Sequence, residues 1–238
     1  MSRNIFLFVF LFSIFNGSGL YGIVPNDSES LSLIIYKQDT LKENQILYNG
    51  KLWRNRYYRI REDQFLFSKE FLSGNLSING QLFRNLNIRY DIYNDEIMIP
   101  SNRGAILQLN KEMVDSFTIN FYNKTYKFTQ IREDSVRGFN GYVNVLYKGK
   151  NALYVKYKKE IELLAVDRKY DMFYQTLRIY FLKDGIVHLI SGKREFFNLL
   201  DEYKLQIRSF IKKNRIRVSK KIPESFVPVI EFYDNLKQ

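Results

Sequence analysis

Residues 177–190 read LRIYFLKDGIVHLI, two runs of alternating apolar residues on either side of Asp184-Gly185. Both central residues of a two-residue hairpin turn must take positive φ, which Asp-Gly does at low cost, so this stretch is expected to fold back on itself. The same alternation recurs upstream. FTINFYNKTYKFTQI (117–131) alternates on both sides of Asn123-Lys124, and GYVNVLYKGKNALYVKYKKEI (141–161) reverses at Lys148 to Asn151. Each hairpin sets two strands side by side without a crossover helix, so the sheet is expected to be antiparallel.

Shorter runs extend the pattern towards the N-terminus: KLWRNRYYRI (51–60), QFLF (64–67), NLSING (75–80), NLNIRYDIYNDEIMI (85–99) with a turn near Asn94-Asp95, and GAILQL (104–109). Turn residues recur every 8–12 positions or so, the spacing of a sandwich, barrel or strongly curled sheet. At residue 191 the period lengthens from two to 3.6. Phe196, Leu199, Leu200, Tyr203, Ile207, Phe210 and Ile211 step by three or four and share one helix face. A second short helix is expected through ESFVPVIEFYDNL, with Phe226, Val229, Ile230, Tyr233 and Leu236 on one side and Pro228 in its first turn. The expected fold is therefore α+β and β-rich: a curled antiparallel sheet, sandwich or partly open barrel, carrying a C-terminal helical pair. An outer-membrane barrel fits less well, because Arg54, Arg56, Lys156 and Lys158 would interrupt its lipid-facing apolar rows.

The first 22 residues carry Arg3, an apolar run from Ile5 to Phe15 broken only by Ser13, and then Asn16, Gly17, Ser18 and Gly19. These are the parts of a secretory signal peptide, with cleavage expected after Gly19 or Gly22. A run of eleven residues falls short of the ~20 that a membrane-spanning helix needs. The organisation expected is a signal peptide at 1–22, a flexible leader and first strand at 23–47, and one globular domain at 48–238, β-rich to residue 190 and helical after it. The chain has no cysteine, which excludes disulfides, a lipid-modified N-terminus and thiolate metal sites. Export without disulfides points to a Gram-negative bacterial envelope, periplasmic or associated with the outer membrane.

The quoted segments YNGKLWRNRYYRI…DQFLFS, YDIYNDEIMIP, LQLNKEMVDSF and IRSFIKKNRIRVSKK…FVPVIEFYDNL together resemble a group of exported proteins of unknown function from Bacteroidota bacteria. The likeness covers most of residues 48–236. It implies an envelope location and carries no catalytic residue over to this chain.

Net charge is +12, and it clusters. SFIKKNRIRVSKK (209–221) has six basic residues and no acid. Lys204, Arg208 and Lys212 recur every fourth position ahead of Arg215, Arg217, Lys220 and Lys221. Outside the cytoplasm the abundant polyanions are lipid head groups, lipopolysaccharide phosphates and acidic glycans, so an anionic envelope surface or another envelope protein ranks above nucleic acid as partner. No transmembrane span is expected after cleavage. A second candidate site is LWRNRYY, where Trp53 and Tyr57 are interleaved with Arg54 and Arg56, a mixture that stacks on rings and pairs with anions.

Catalytic and metal-binding constellations are thin. His188 is the one histidine and sits inside the third hairpin. No metal site and no cofactor are expected. Carboxylate pairs, which a glycoside hydrolase needs at fixed separation, could come from Glu160 with Glu162, from Asp167 with Asp171 if VDRKYDMFY is helical, or from Asp91, Asp95 and Glu96. Nearby lysines and arginines, and the preference of turns for Asp, give each pair an ordinary role. The function expected is a non-catalytic binding or structural module with a basic C-terminal surface. The competing expectation is a secreted hydrolase of glycans or peptides.

Overall fold

The computed structural model describes residues 45–132, 136 and 138–237. The expected signal peptide and most of the leader lie outside the described residues. Residues 45–47, where the expected first strand would end, are helical.

Eleven strands follow: β1 (Gly50–Leu52), β2 (Leu72–Ile78), β3 (Gln81–Asp91), β4 (Glu96–Pro100), β5 (Ile106–Leu109), β6 (Val114–Phe121), β7 (Lys124–Ile131), β8 (Gly141–Lys148), β9 (Ala152–Val166), β10 (Tyr170–Lys183) and β11 (Ile186–Ile190). They form one sheet in the order β1-β5-β4-β3-β2-β6-β7-β8-β9-β10-β11, with antiparallel ladders throughout and no pairing between its two edges. Although β3 and β9 lie five places apart in that order, the Lys159 N–H donates to the Ile92 carbonyl at 3.2 Å just past the end of β3. The sheet is thus curled without closing. Its inner face wraps one core, in which Tyr90, Phe117, Phe128 and Tyr142 pack with centroids 4.7–5.9 Å apart.

Helices α1 (Lys193–Leu199), α2 (Lys204–Lys213) and α3 (Val227–Leu236) complete the fold. Phe196, Ile207, Phe226, Val229, Ile230 and Tyr233 are buried in the same core. The described residues belong to one compact unit.

Local chemistry explains the turns. Asp184 and Gly185 sit at φ 50° and 81°, the mirror-image geometry that an Asp-Gly hairpin adopts. Asn79 and Gly80, expected only as the end of a strand, make a second turn of this kind at 48° and 80°. The β6–β7 turn is centred on Tyr122-Asn123, one residue earlier than expected, with Tyr122 at φ 51° and Lys124 already in β7.

Three expectations are corrected, and the helical condition attached to VDRKYDMFY is not met. KLWRNRYYRI is not a strand beyond Leu52, because the Asn55 side chain accepts the Tyr57 N–H at 2.9 Å and takes that amide out of any ladder. QFLF keeps only an isolated bridge from Phe65 to Asp91; Asp63 takes the Phe65 N–H at 2.8 Å and Phe67 turns to φ 66°. VDRKYDMFY is a hairpin, with Asp167 and Arg168 at φ 53° and 54° joining the two longest strands. The long helix expected after residue 191 breaks at Leu200 into α1, a 3-10 turn and α2. The carbonyl of Leu199 that this break would leave open accepts the Lys183 ammonium at 2.8 Å.

Candidate functional site

The helical end is clamped to the sheet by groups it shares with the turns beneath it. Asp234 of α3 is buried and accepts the Tyr147 hydroxyl at 2.9 Å, the Asn151 N–H at 3.1 Å and the Asn151 side-chain amide. Burial and then the hydrogen bond to Asp234 push the Tyr147 hydroxyl up to about 12, so it stays protonated and donates. Lys237 bonds both Asp184 oxygens at 3.0 Å, and Tyr233 donates to Glu202. These contacts tie α3 and the residue after it to the turns at 148–151 and 184–185.

The helical end is also rich in exposed cations. Residues 193–221 hold ten lysines and arginines against three acids, and all ten are exposed. Of these ten, Lys204 alone is in an ion pair among the described residues, with Asp201 at 2.5 Å. Arg215, Arg217, Lys220 and Lys221 lie in the connector between α2 and α3, as expected from the sequence. That connector is held in place: Val218, Pro223 and Phe226 are buried, Ser225 accepts the Ser219 N–H at 2.9 Å, and the Ile222 N–H reaches the Ser219 carbonyl at 3.0 Å. Its charges stand on fixed backbone.

Between α1 and α2 runs a groove of about 740 Å³. Lys204, Arg208 and Lys212 line it from α2, and Lys193 and Arg194 from α1. The two α1 cations escape a reading of the sequence, because their nearness to the α2 stripe depends on the break at Leu200.

Trp53, Arg54, Arg56 and Tyr57 do converge, on a separate cavity of about 250 Å³ that also takes Lys51, Asn94, Glu96 and Gln108. The aromatic rings there serve the fold. Arg89 stacks on Trp53 at 4.8 Å, and Tyr57 packs edge-on against Tyr93 and Phe173 while its hydroxyl donates to Asn94 at 3.2 Å. The connector cations line none of this cavity, so the two sequence-derived site groups are not brought together.

Of the candidate carboxylates, Asp91, Asp95, Glu160 and Asp171 are engaged in structural contacts. Asp91 is buried and accepts the N–H groups of Tyr93 and Asn94 and the Asn94 amide at 2.8–2.9 Å, closing the β3–β4 turn. Glu160 accepts the Tyr174 hydroxyl at 2.8 Å and pairs with Lys158 at 3.3 Å; the first of these bonds holds its carboxyl below the usual range. Asp171 accepts the Leu164 N–H at 2.9 Å across its hairpin. Half-buried His188 stands opposite Phe181 in the β10–β11 ladder. Among the described residues no group of three or more metal-ligating side chains is present.

Asp95 organises a polar centre that the sequence did not disclose. It accepts the Lys111 ammonium at 2.5 Å, the Tyr90 hydroxyl at 2.5 Å and the Tyr142 N–H at 3.3 Å, and pairs with Lys156 at 3.0 Å. Burial pushes its carboxyl up, but Lys156, Lys111 and the Tyr90 bond outweigh burial and leave it below the usual range. Lys156 is itself lowered by burial, against the pull of Asp95. Gly141 makes the approach possible, at φ 70° and with no room for a Cβ, which would stand 1.7 Å from the Asp95 oxygen. The one sequence hint was a lysine in phase with Ala152 and Tyr154 on a buried strand. No protein-family model, curated protein or solved structure matches this chain, and the basic helical face is the candidate site on its own geometry.

Proposed function

We propose that this chain is an exported cell-envelope protein that acts by binding rather than by catalysis, and that its basic C-terminal face engages an anionic envelope surface. The observation that carries this reading is the set of ten exposed cations at residues 193–221, of which one is ion-paired among the described residues. Lys193 lies over the Phe197 ring at 5.8 Å, and exposed cations without a counter-charge raise the local potential for a polyanion. The N-terminal signal pattern supports export, and export without cysteine points to a bacterial envelope. Among the described residues no helix is long and apolar enough to cross a membrane, so contact with lipid through the described helices would be at its surface.

The test is co-sedimentation with vesicles. A cation near an anionic leaflet is worth about 1 kcal/mol, so replacing Arg215, Arg217, Lys220 and Lys221 by Gln should weaken binding to phosphatidylglycerol vesicles at least about a hundredfold in low salt. Binding by the parent protein should also fade as ionic strength rises. Equal binding by variant and parent overturns the reading.

A further inference from the structure

We infer that the groove between α1 and α2 takes the acyl chain of a single-chain anionic amphiphile, a lysophospholipid with a phosphate head group, whose head is held by the cations on its two rims. This deepens the proposed function and rests on it, since the same face is engaged.

The groove differs from the connector in having an apolar floor. Phe197 and Ile211, both half-buried, form its reachable part, and Leu200 and Ile207 lie fully buried beneath them. Its volume of about 740 Å³ lies within the ~300–1,000 Å³ typical of small-ligand sites. The rims are of one sign: Lys193 and Arg194 from α1, and Lys204, Arg208 and Lys212 from α2, with no acid in the lining. An apolar trough between two rows of cations matches a ligand with one hydrocarbon part and one anionic end.

Other occupants fit less well. A second copy of this chain would set five cations against five in a protein of net charge +12. A partner helix needs far more surface, because stable protein interfaces bury at least about 1,000 Å². Here the walls are helices of seven and ten residues, about 10 and 15 Å long, and only two half-buried side chains offer apolar contact.

The arrangement also runs against helix stability. Lys204, Arg208 and Lys212 are like charges four residues apart, which disfavours a helix, and Lys204 stands in the first turn, at the end where cations oppose the helix dipole. Folding alone does not call for that pattern.

The test uses the full mature chain and monomeric lysophosphatidylglycerol below its critical micelle concentration, followed by calorimetry. Affinity should rise about two- to fourfold for each methylene added from 8 to 14 carbons, as chain is withdrawn from water. Lysophosphatidylcholine of equal length should bind at least tenfold more weakly. Replacing Arg194 and Arg208 by Gln should lower affinity for the anionic lipid about tenfold or more at an unchanged melting temperature. The connector variant should still take up the monomer while losing vesicles. Affinity independent of chain length, or equal for the two head groups, overturns the inference. Vesicle binding by a parent protein that ignores the monomer also overturns it and leaves the surface reading standing. Monomer uptake without vesicle binding does the reverse. Capture of an acidic amphipathic peptide with no uptake of lipid would assign the groove to a protein partner instead.

Discussion

Around Asp95 two lysines converge on one carboxylate, whereas across α1, α2 and the connector from α2 to α3 ten basic residues hold one ion pair among the described residues. The first arrangement ties the β3–β4 turn to β8 and β9, and its Asp95–Lys156 pair is largely out of water, with side chains 17% and 11% exposed. The second ties nothing together. The difference separates charge that specifies the fold from charge left free for a ligand. Buried charges tolerate no loss of a partner, because the survivor is stranded in a poor solvent. Exposed charges can be exchanged with little effect on stability and a large effect on what the surface attracts.

The sharpest test of that division is Asp95→Asn. It keeps the shape but leaves Lys156 buried without a counter-charge, and should cost about 3 kcal/mol by denaturant unfolding. Adding Lys156→Met should recover part of the loss. The acid limb supplies an independent check. Because the folded carboxyl lies below its unfolded value near 3.9, Asp95 stabilises the fold fully above about pH 5, and that contribution drains away as pH falls through the depressed folded value. The gap in stability between parent and Asp95→Asn should therefore begin to narrow as pH falls to the unfolded value near 3.9 and close only below the depressed folded value. A gap that persists there would mean that the carboxylate acts through shape and not through charge.

Legibility in the sequence followed the range of the contacts. Asp184-Gly185 and the reversal at residues 148–151 were readable because a two- to four-residue turn carries its own conformational requirement. The irregular stretch from 53 to 71 was not, since Asn55 and Asp63 intercept backbone amides that an alternating pattern assigns to a ladder. The carbonyl left open at the break near Leu200 is satisfied by Lys183, which arrives from the end of β10. The same rule divides the candidate site. The connector cations stood out as a run, but the rim formed by Lys193 and Arg194, like the pairing of Lys156 with Asp95, exists only once distant segments meet.

Asp234 offers a middle case, a buried carboxylate held by neutral donors. Asp234→Ala would strand the Asn151 N–H, its side-chain amide and the Tyr147 hydroxyl, at about 2 kcal/mol. The loss should be local to the helical end, so hydrogen exchange should accelerate in α3 well before it does in β6 and β7. Uniform acceleration over the whole chain would show that the helical end and the sheet melt as one unit.

The smallest effect on stability should come from the free face, and its sign is the informative part. Arg208 has Lys204 four residues before it and Lys212 four residues after it on α2. Arg208→Glu would turn two repulsions into two attractions, the second in the favoured order of acid before base. Helix pairs of this kind are worth about 0.2–0.5 kcal/mol each, so the variant should be more stable by about 0.5 kcal/mol or slightly more. For a chain of this size that raises the melting temperature by about 1–3 °C. Binding to phosphatidylglycerol vesicles should fall in the same variant, since a negative charge now stands in the middle of the cationic rim. A protein that gains stability as it loses its ligand would show that the native arginine is kept for recognition, at a small cost to the helix. If the variant instead loses stability, Arg208 packs through its aliphatic stem and the face is not free of structural duty. If stability rises while vesicle binding stays the same, the stripe on α2 lies outside the contact and recognition belongs to the connector alone.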